Sequence, residues 1–186
     1  MVLRYLPHAI TLTRLFVLPF VVWLLLQSLF REALCLVILA GLTDWFDGFA
    51  ARRLHVTGRL GVILDPIADK TMLVTLFVAL AFIRLIPVWL LALVIGRDLV
   101  IVTGALLVRI FRNIRKFLPS TMGKVSTFYQ IMLVLMVLLH SSFHYRLFLW
   151  LEVTAVVLCA FFTALSGIGY VRLGIQIARR PAIPAG

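Results

Sequence analysis

Asp44, Asp47, Asp65 and Asp69 are four of the seven acidic residues in this chain, and they fall in one short stretch flanked on both sides by segments apolar enough to span a membrane. A carboxylate at membrane depth is costly unless it is paired or holds a metal, so four together mark a functional site. The pattern reads Asp44-x-x-Asp47-Gly48-x-x-Ala51-Arg52, eight residues, then Gly61-x-x-x-Asp65-x-x-x-Asp69. Spacings of three and four put each pair on one helix face. Facing one another across an antiparallel helix pair, the four carboxylates would share one small volume. That donor set suits a hard divalent ion such as Mg²⁺ or Mn²⁺ and would repel itself without cations. Pairing with Arg52, Arg53 and Lys70 would balance the charge but would not explain the spacing.

Gly48 and Ala51 follow the first acidic pair without a bulky side chain, and Gly61 stands one turn before Asp65. Small residues let helices approach closely, and they also let a flat group lie against backbone. Their fixed register with the aspartates favours a ligand pocket. Pro66, directly after Asp65, either starts the hydrogen-bonded part of its helix or kinks it.

The elements that must position these residues are apolar helices. The 186 residues are 63% hydrophobic and 13% charged, with a mean hydropathy of +1.14, the composition of an integral membrane protein. Six apolar runs are visible, at Ile10 to Phe30, Ala33 to Ala51, Gly61 to Ile83, Pro87 to Val108, Ser126 to His140 and Leu147 to Tyr170. Each is near bilayer-spanning length, the second and fifth being short. An even number of spans places both termini on one side. That side carries Arg4, Arg14, Arg52, Arg53, Arg59, Arg109, Arg112, Arg115, Lys116, Lys124, Arg172, Arg179 and Arg180, whereas the opposite loops hold Arg31, Arg84 and Arg146. The bias puts the termini and the aspartate-bearing ends in the cytoplasm or its organellar equivalent.

The formal charge of +11 is spread over short loops and not gathered on one face, which argues against nucleic acid as a partner. The first run, with no small-x-small cleavage site before Arg31, reads as an uncleaved span and not as a signal peptide. Cys35 and Cys159 both lie in apolar stretches and read as buried packing residues. No repeat or linker divides the chain, so residues 1–178 form one all-α membrane domain and 179–186 a short tail.

The stretch from Asp44 to Asp69 resembles, at every fixed position, the signature D-x-x-D-G-x-x-A-R, eight residues, G-x-x-x-D-x-x-x-D of the CDP-alcohol phosphatidyltransferases. The segment Pro7-His8-Ala9-Ile10-Thr11-Leu12-Thr13-Arg14 is similar to the family's P-N-x-x-[TS]-x-x-R approach to its first span, with His8 where Asn or Thr is usual. The resemblance implies six transmembrane helices, a homodimer and a cytoplasm-facing cavity for a CDP-linked lipid, CDP-diacylglycerol. It implies that Asp44, Asp47 and Asp65 hold two divalent cations, Mg²⁺ or Mn²⁺, against the diphosphate. Asp69 would help complete that site and take the proton from the acceptor hydroxyl. Thr11, Asp44, Gly48, Ala51, Arg52 and Gly61 would serve the donor site, and Arg14, Arg97 and Lys124 the acceptor. The implied setting is a bacterial cytoplasmic membrane.

Outside the signature, the segments Leu85 to Val88, Ile95 to Asp98, Leu118 to Thr127 and Ala164 to Tyr170 resemble the cardiolipin synthases of the family more than its phosphatidylglycerophosphate synthases. The expected acceptor is therefore phosphatidylglycerol, with glycerol 3-phosphate as the alternative. Arg97 and Asp98 lie mid-span, where they are either a structural pair or one wall of the acceptor pocket. A divalent-cation transporter would also place carboxylates at membrane depth. Against it, the acids cluster toward one side, with no charged continuation toward Arg31, Arg84 and Arg146 and no pair of interrupted helices in two similar halves.

Overall fold

Long stretches of Leu, Val, Ile, Phe and Ala without turn residues satisfy their backbone N–H and C=O groups within the segment, and each of the six apolar runs is helical. A computed structural model describes the backbone of residues 6–54, 61–112 and 121–179, and side chains within 16–43, 69–104, 121–172 and 174–176. The helices are α1 (Leu6–Leu26), α2 (Phe30–Leu54), α3 (Gly61–Phe82), α4 (Val88–Arg112), α5 (Thr121–Phe143) and α6 (Arg146–Arg179). No strand occurs among the described residues. The two long polar connections, at 55–60 and 113–120, and the tail from residue 180 lie outside them.

The three short connections share one device. Ser28, Arg84 and His144 have φ of 59°, 61° and 55°, the left-handed conformation that glycine usually supplies just past a helix end. At Ser28 the chain closes with Leu29 N–H donating to the Leu24 carbonyl (2.9 Å) and Ser28 N–H to Leu25 (3.0 Å). The same pair of bonds recurs at Leu85 to Leu80 (2.9 Å) and Arg84 to Ala81 (3.1 Å). At the third turn, a single bond runs from His144 N–H to the His140 carbonyl (2.8 Å). These bonds satisfy carbonyls that the helix ends would otherwise leave unpaired. The next helix then starts at once, with the Pro87 carbonyl accepting from Leu90 N–H (3.0 Å) and the Tyr145 carbonyl from Phe148 N–H (3.0 Å).

The chain divides into two compact units, one of residues 1–86 with 134–149 and the other of 87–133 with 150–186. In the first, α1 packs against both α2 and α3. Its core includes Val21, Leu25, Ala33, Phe77, Leu80, Val137 and Leu138, none more than 1% exposed. Arg31 Nε donates to the Ser142 carbonyl at 3.2 Å, and its guanidinium lies 5.5 Å from the centroid of the Phe143 ring. A cation is thus placed on the last carbonyls of α5, where the helix dipole favours it. The second unit is built from α4, the first half of α5 and most of α6, around Leu90, Val94, Leu133 and Cys159.

Cys159 is buried, as its apolar surroundings predict, but Cys35 is exposed. Its neighbours Ile38, Leu39 and Leu42 are exposed too, so the outward face of α2 is as apolar as its inward face and hydropathy cannot tell them apart. Elsewhere Phe16, Phe82, Val102, Leu147 and Trp150 are each at least 65% exposed. Among the described residues, two helices are long and apolar enough to cross a membrane, Thr121–Phe143 and Arg146–Gln176.

Candidate active site

Both acid pairs belong to one junction. Asp44, Asp47, Gly48, Ala51 and Arg52 lie on the last turns of α2, and Gly61, Asp65 and Asp69 on the first turns of α3. Residues 55–60 alone join the two helices, and a connection of that length reaches at most about 25 Å, which keeps the acid-bearing ends near one another. α1, which carries Thr11 and Arg14, packs against both helices. Pro66 is not the start of α3, because the helix already runs from Gly61; lacking an N–H, it cannot make the intrahelical bond to the Val62 carbonyl.

The side chains of Thr11, Arg14, Asp44, Asp47, Gly48, Ala51, Arg52, Gly61 and Asp65 lie outside the described residues. Asp69 is described and is exposed. No group of three His, Cys, Asp or Glu able to hold a metal occurs among the described residues, which include only Asp69 of the four aspartates. The donor set itself fits a hard divalent cation in kind, since the signature contains carboxylates and no thiolate or imidazole. At the start of α3 the first amides have no intrahelical acceptor, and Gly61 puts no side chain over them, an arrangement suited to an anionic oxygen.

Arg97, within α4, is 8% exposed and fully engaged. Its Nε donates to Ser166 Oγ at 3.2 Å, and Nη2 donates to the same oxygen at 2.9 Å and to the Gly123 carbonyl at 3.4 Å. Nη1 reaches Asp98 Oδ1 at 2.9 Å. Consecutive residues of a helix point apart, so this pairing relies on the length of the arginine stem. The Tyr170 ring adds a cation–π contact at 5.8 Å. The guanidinium thereby ties α4 to the first turn of α5 and to α6. Gly123 makes room for it, because a Cβ there would stand 3.1 Å from Arg97 Nη2 and 3.1 Å from Tyr170 Oη. Lys124, the next residue, is exposed on that fixed turn.

Further along the same helices the Ser126 and Thr163 hydroxyls are 3.1 Å apart, and Gln130 Nε2 reaches Ser126 Oγ at 3.5 Å. All three residues are 0% exposed. Arg97 and Lys124 were legible as candidates from the sequence, whereas Ser126, Gln130, Thr163, Ser166 and Tyr170 were not. On α6 the signal is the spacing: Thr163, Ser166 and Tyr170 recur at intervals of three and four, a polar stripe along one face.

The chain is similar to known proteins. The family model for CDP-alcohol phosphatidyltransferase matches residues 4–164. The rat protein named cardiolipin synthase (CMP-forming) is 33% identical over 186 residues, covering 90% of this chain and 61% of its own length. The CDP-diacylglycerol–glycerol-3-phosphate 3-phosphatidyltransferase of Aquifex aeolicus is 36% identical over 130 residues, covering 66% of this chain and 69% of that protein. Its namesake in Bacillus subtilis is 35% identical over 142 residues, covering 73% and 69% respectively. The chain spans about three fifths of the length of the mammalian relatives it matches. With every fixed position of the signature in place at the α2–α3 junction and the family match running from residue 4 to 164, the chain belongs to the CDP-alcohol phosphatidyltransferase family.

Proposed function

We propose that the chain transfers a phosphatidyl group from CDP-diacylglycerol to an alcohol and releases CMP, as a step of phospholipid biosynthesis. The observation that carries this reading is the complete aspartate signature, which falls on the end of α2 and the start of α3. The protein crosses a membrane with all six helices, its termini and the aspartates on the cytoplasmic side, and works as a homodimer. The large exposed apolar side chains of α1, α3, α4 and α6 support a lipid surrounding, since a water-facing surface of that kind would aggregate.

Asp44, Asp47, Asp65 and Asp69 would hold two divalent cations, Mg²⁺ or Mn²⁺, whose charge offsets that of the diphosphate. Asp69 takes the proton from the acceptor hydroxyl as its oxygen attacks the phosphorus that bears the diacylglycerol. The bond from that phosphorus to the bridging oxygen breaks, and CMP leaves with the electron pair. Thr11, Gly48, Ala51, Arg52 and Gly61 form the donor site, the small residues leaving room for the nucleotide. Of the acceptor residues, Arg97 is occupied by its own network, which leaves Arg14 and Lys124 to attract an anionic headgroup. Phosphatidylglycerol is the acceptor, giving cardiolipin, with glycerol 3-phosphate as the alternative. The similarity to a cardiolipin synthase over 90% of the chain supports that order.

Treatment of the purified protein with EDTA is expected to abolish CMP release from CDP-diacylglycerol, and excess Mg²⁺ or Mn²⁺ to restore it. Full activity in EDTA would contradict the role given to the four carboxylates.

A further inference from the structure

Ser126 and Gln130 of α5 and Thr163 of α6 meet in one polar cluster, and each is 0% exposed. Gln130 stands about 13 Å along the helix from Thr121, near the middle of the apolar span Thr121–Phe143. No solvent reaches a side chain placed there, so its hydrogen bonds have to be found inside the helix packing. A glutamine amide brings two N–H donors and a carbonyl oxygen with two lone pairs. Little of that capacity is used. Nε2 reaches Ser126 Oγ at 3.5 Å, beyond the ~2.7–3.2 Å of a well-made bond, and Oε1 is buried without a hydrogen-bond partner. Turning the amide over changes nothing in the count. The oxygen would then face Ser126, and the NH2 group would be the one left unpaired.

A buried polar group without a partner bears its full desolvation cost, which is why such groups are bonded to protein or to ordered water in nearly every case. The chemistry of the cluster selects water. Its groups are two hydroxyls and an amide, all neutral, so nothing in it offsets the charge of a bound ion. An apolar molecule would leave Oε1 as it is. The Ser126 and Thr163 hydroxyls, 3.1 Å apart, share one proton between them and have lone pairs beyond that bond, so a bridging water finds second and third partners. Thr163 also lines a groove of about 600 Å³ beside α4, which gives a water room to enter.

We propose that Ser126, Gln130 and Thr163 form a binding site for one ordered water, which donates to Gln130 Oε1 and bonds to the hydroxyl of Ser126 or Thr163. The water completes a link between α5 and α6. About 10 Å away along α5, at Gly123, the Arg97 guanidinium fastens the same two helices through the Gly123 carbonyl and Ser166. The pair is therefore held at two depths, once by a cation and once by a hydrated amide. This site takes no part in binding donor or acceptor and does not depend on which alcohol the chain uses.

A crystal structure of the wild-type full-length chain, at a resolution that shows ordered waters, tests the site directly. Density for one water within hydrogen-bond distance of Gln130 Oε1 and of Ser126 Oγ or Thr163 Oγ1 is the expected result. Density for an ion, no density at all, or a Gln130 amide bonded at both ends by protein groups would overturn the proposal. Gln130→Met supplies a second measurement, because it keeps the length of the side chain and removes the amide. Loss of a hydrated amide is expected to lower the unfolding temperature, followed by circular dichroism in detergent, by roughly 2–4 °C. An amide with no partner at all would be relieved by methionine, so an unchanged or higher unfolding temperature would count against the water. Where Gln130→Met does not fold, the wild-type density decides alone.

Discussion

Asp69→Asn is expected to lower CMP release by about 10²–10⁴-fold while leaving much of the CDP-diacylglycerol affinity in place. The amide cannot accept the acceptor's proton, but in the proposed site three carboxylates would remain to hold cations against the diphosphate. Asp44→Asn and Asp47→Asn are expected to behave differently. In the proposed site each would remove a metal ligand beside the diphosphate, so nucleotide affinity measured with metal present should fall together with turnover. The contrast between the variants is the test, because all three keep the side-chain volume and change only the charge. Wild-type turnover in Asp69→Asn would exclude it as general base.

Arg97→Met is expected to cost about 3–5 kcal/mol of stability, because it leaves Asp98 without its guanidinium partner in a largely buried setting. The Ser166 hydroxyl and the Gly123 carbonyl also lose a donor. Lysine should not rescue the loss, since one ammonium cannot reproduce the fork that reaches Ser166, Gly123 and Asp98 at once. Gly123→Ala should push on the same network from the other side, its Cβ crowding Arg97 Nη2 and Tyr170 Oη. Unfolding of each variant in detergent, followed by circular dichroism, measures the effect. An Arg97→Met protein as stable as the wild type, with only its acceptor KM raised, would make Arg97 a wall of the acceptor pocket and not a structural tie.

The helices were legible in the sequence because each apolar run is long enough to need internal hydrogen bonding. Their ends were less so. α2 and α5 read as Ala33 to Ala51 and Ser126 to His140, whereas the helices run Phe30–Leu54 and Thr121–Phe143. Arg52, Arg53 and Lys124 stay helical beyond the apolar stretch, because hydropathy marks where the apolar surface stops and not where backbone bonding stops. α6 likewise continues past Tyr170 to Arg179. The left-handed turns were hidden, since Ser28, Arg84 and His144 are not the glycines that announce such a conformation.

At the aspartate junction, spacings of three and four sufficed to place each acid pair on its helix. Around Arg97 the sequence revealed the charges but not their partners. Ser166 lies 69 residues away along the chain and Gly123 26 residues away. Only the packing of α4, α5 and α6 brings them to one guanidinium.

The central claim is tested most directly by giving one purified preparation radiolabelled CDP-diacylglycerol and Mg²⁺ or Mn²⁺, with either phosphatidylglycerol or glycerol 3-phosphate. Labelled cardiolipin and CMP are expected with phosphatidylglycerol. Product from glycerol 3-phosphate alone would move the chain to the alternative acceptor, and the absence of CMP and labelled lipid with both acceptors would contradict phosphatidyl transfer itself.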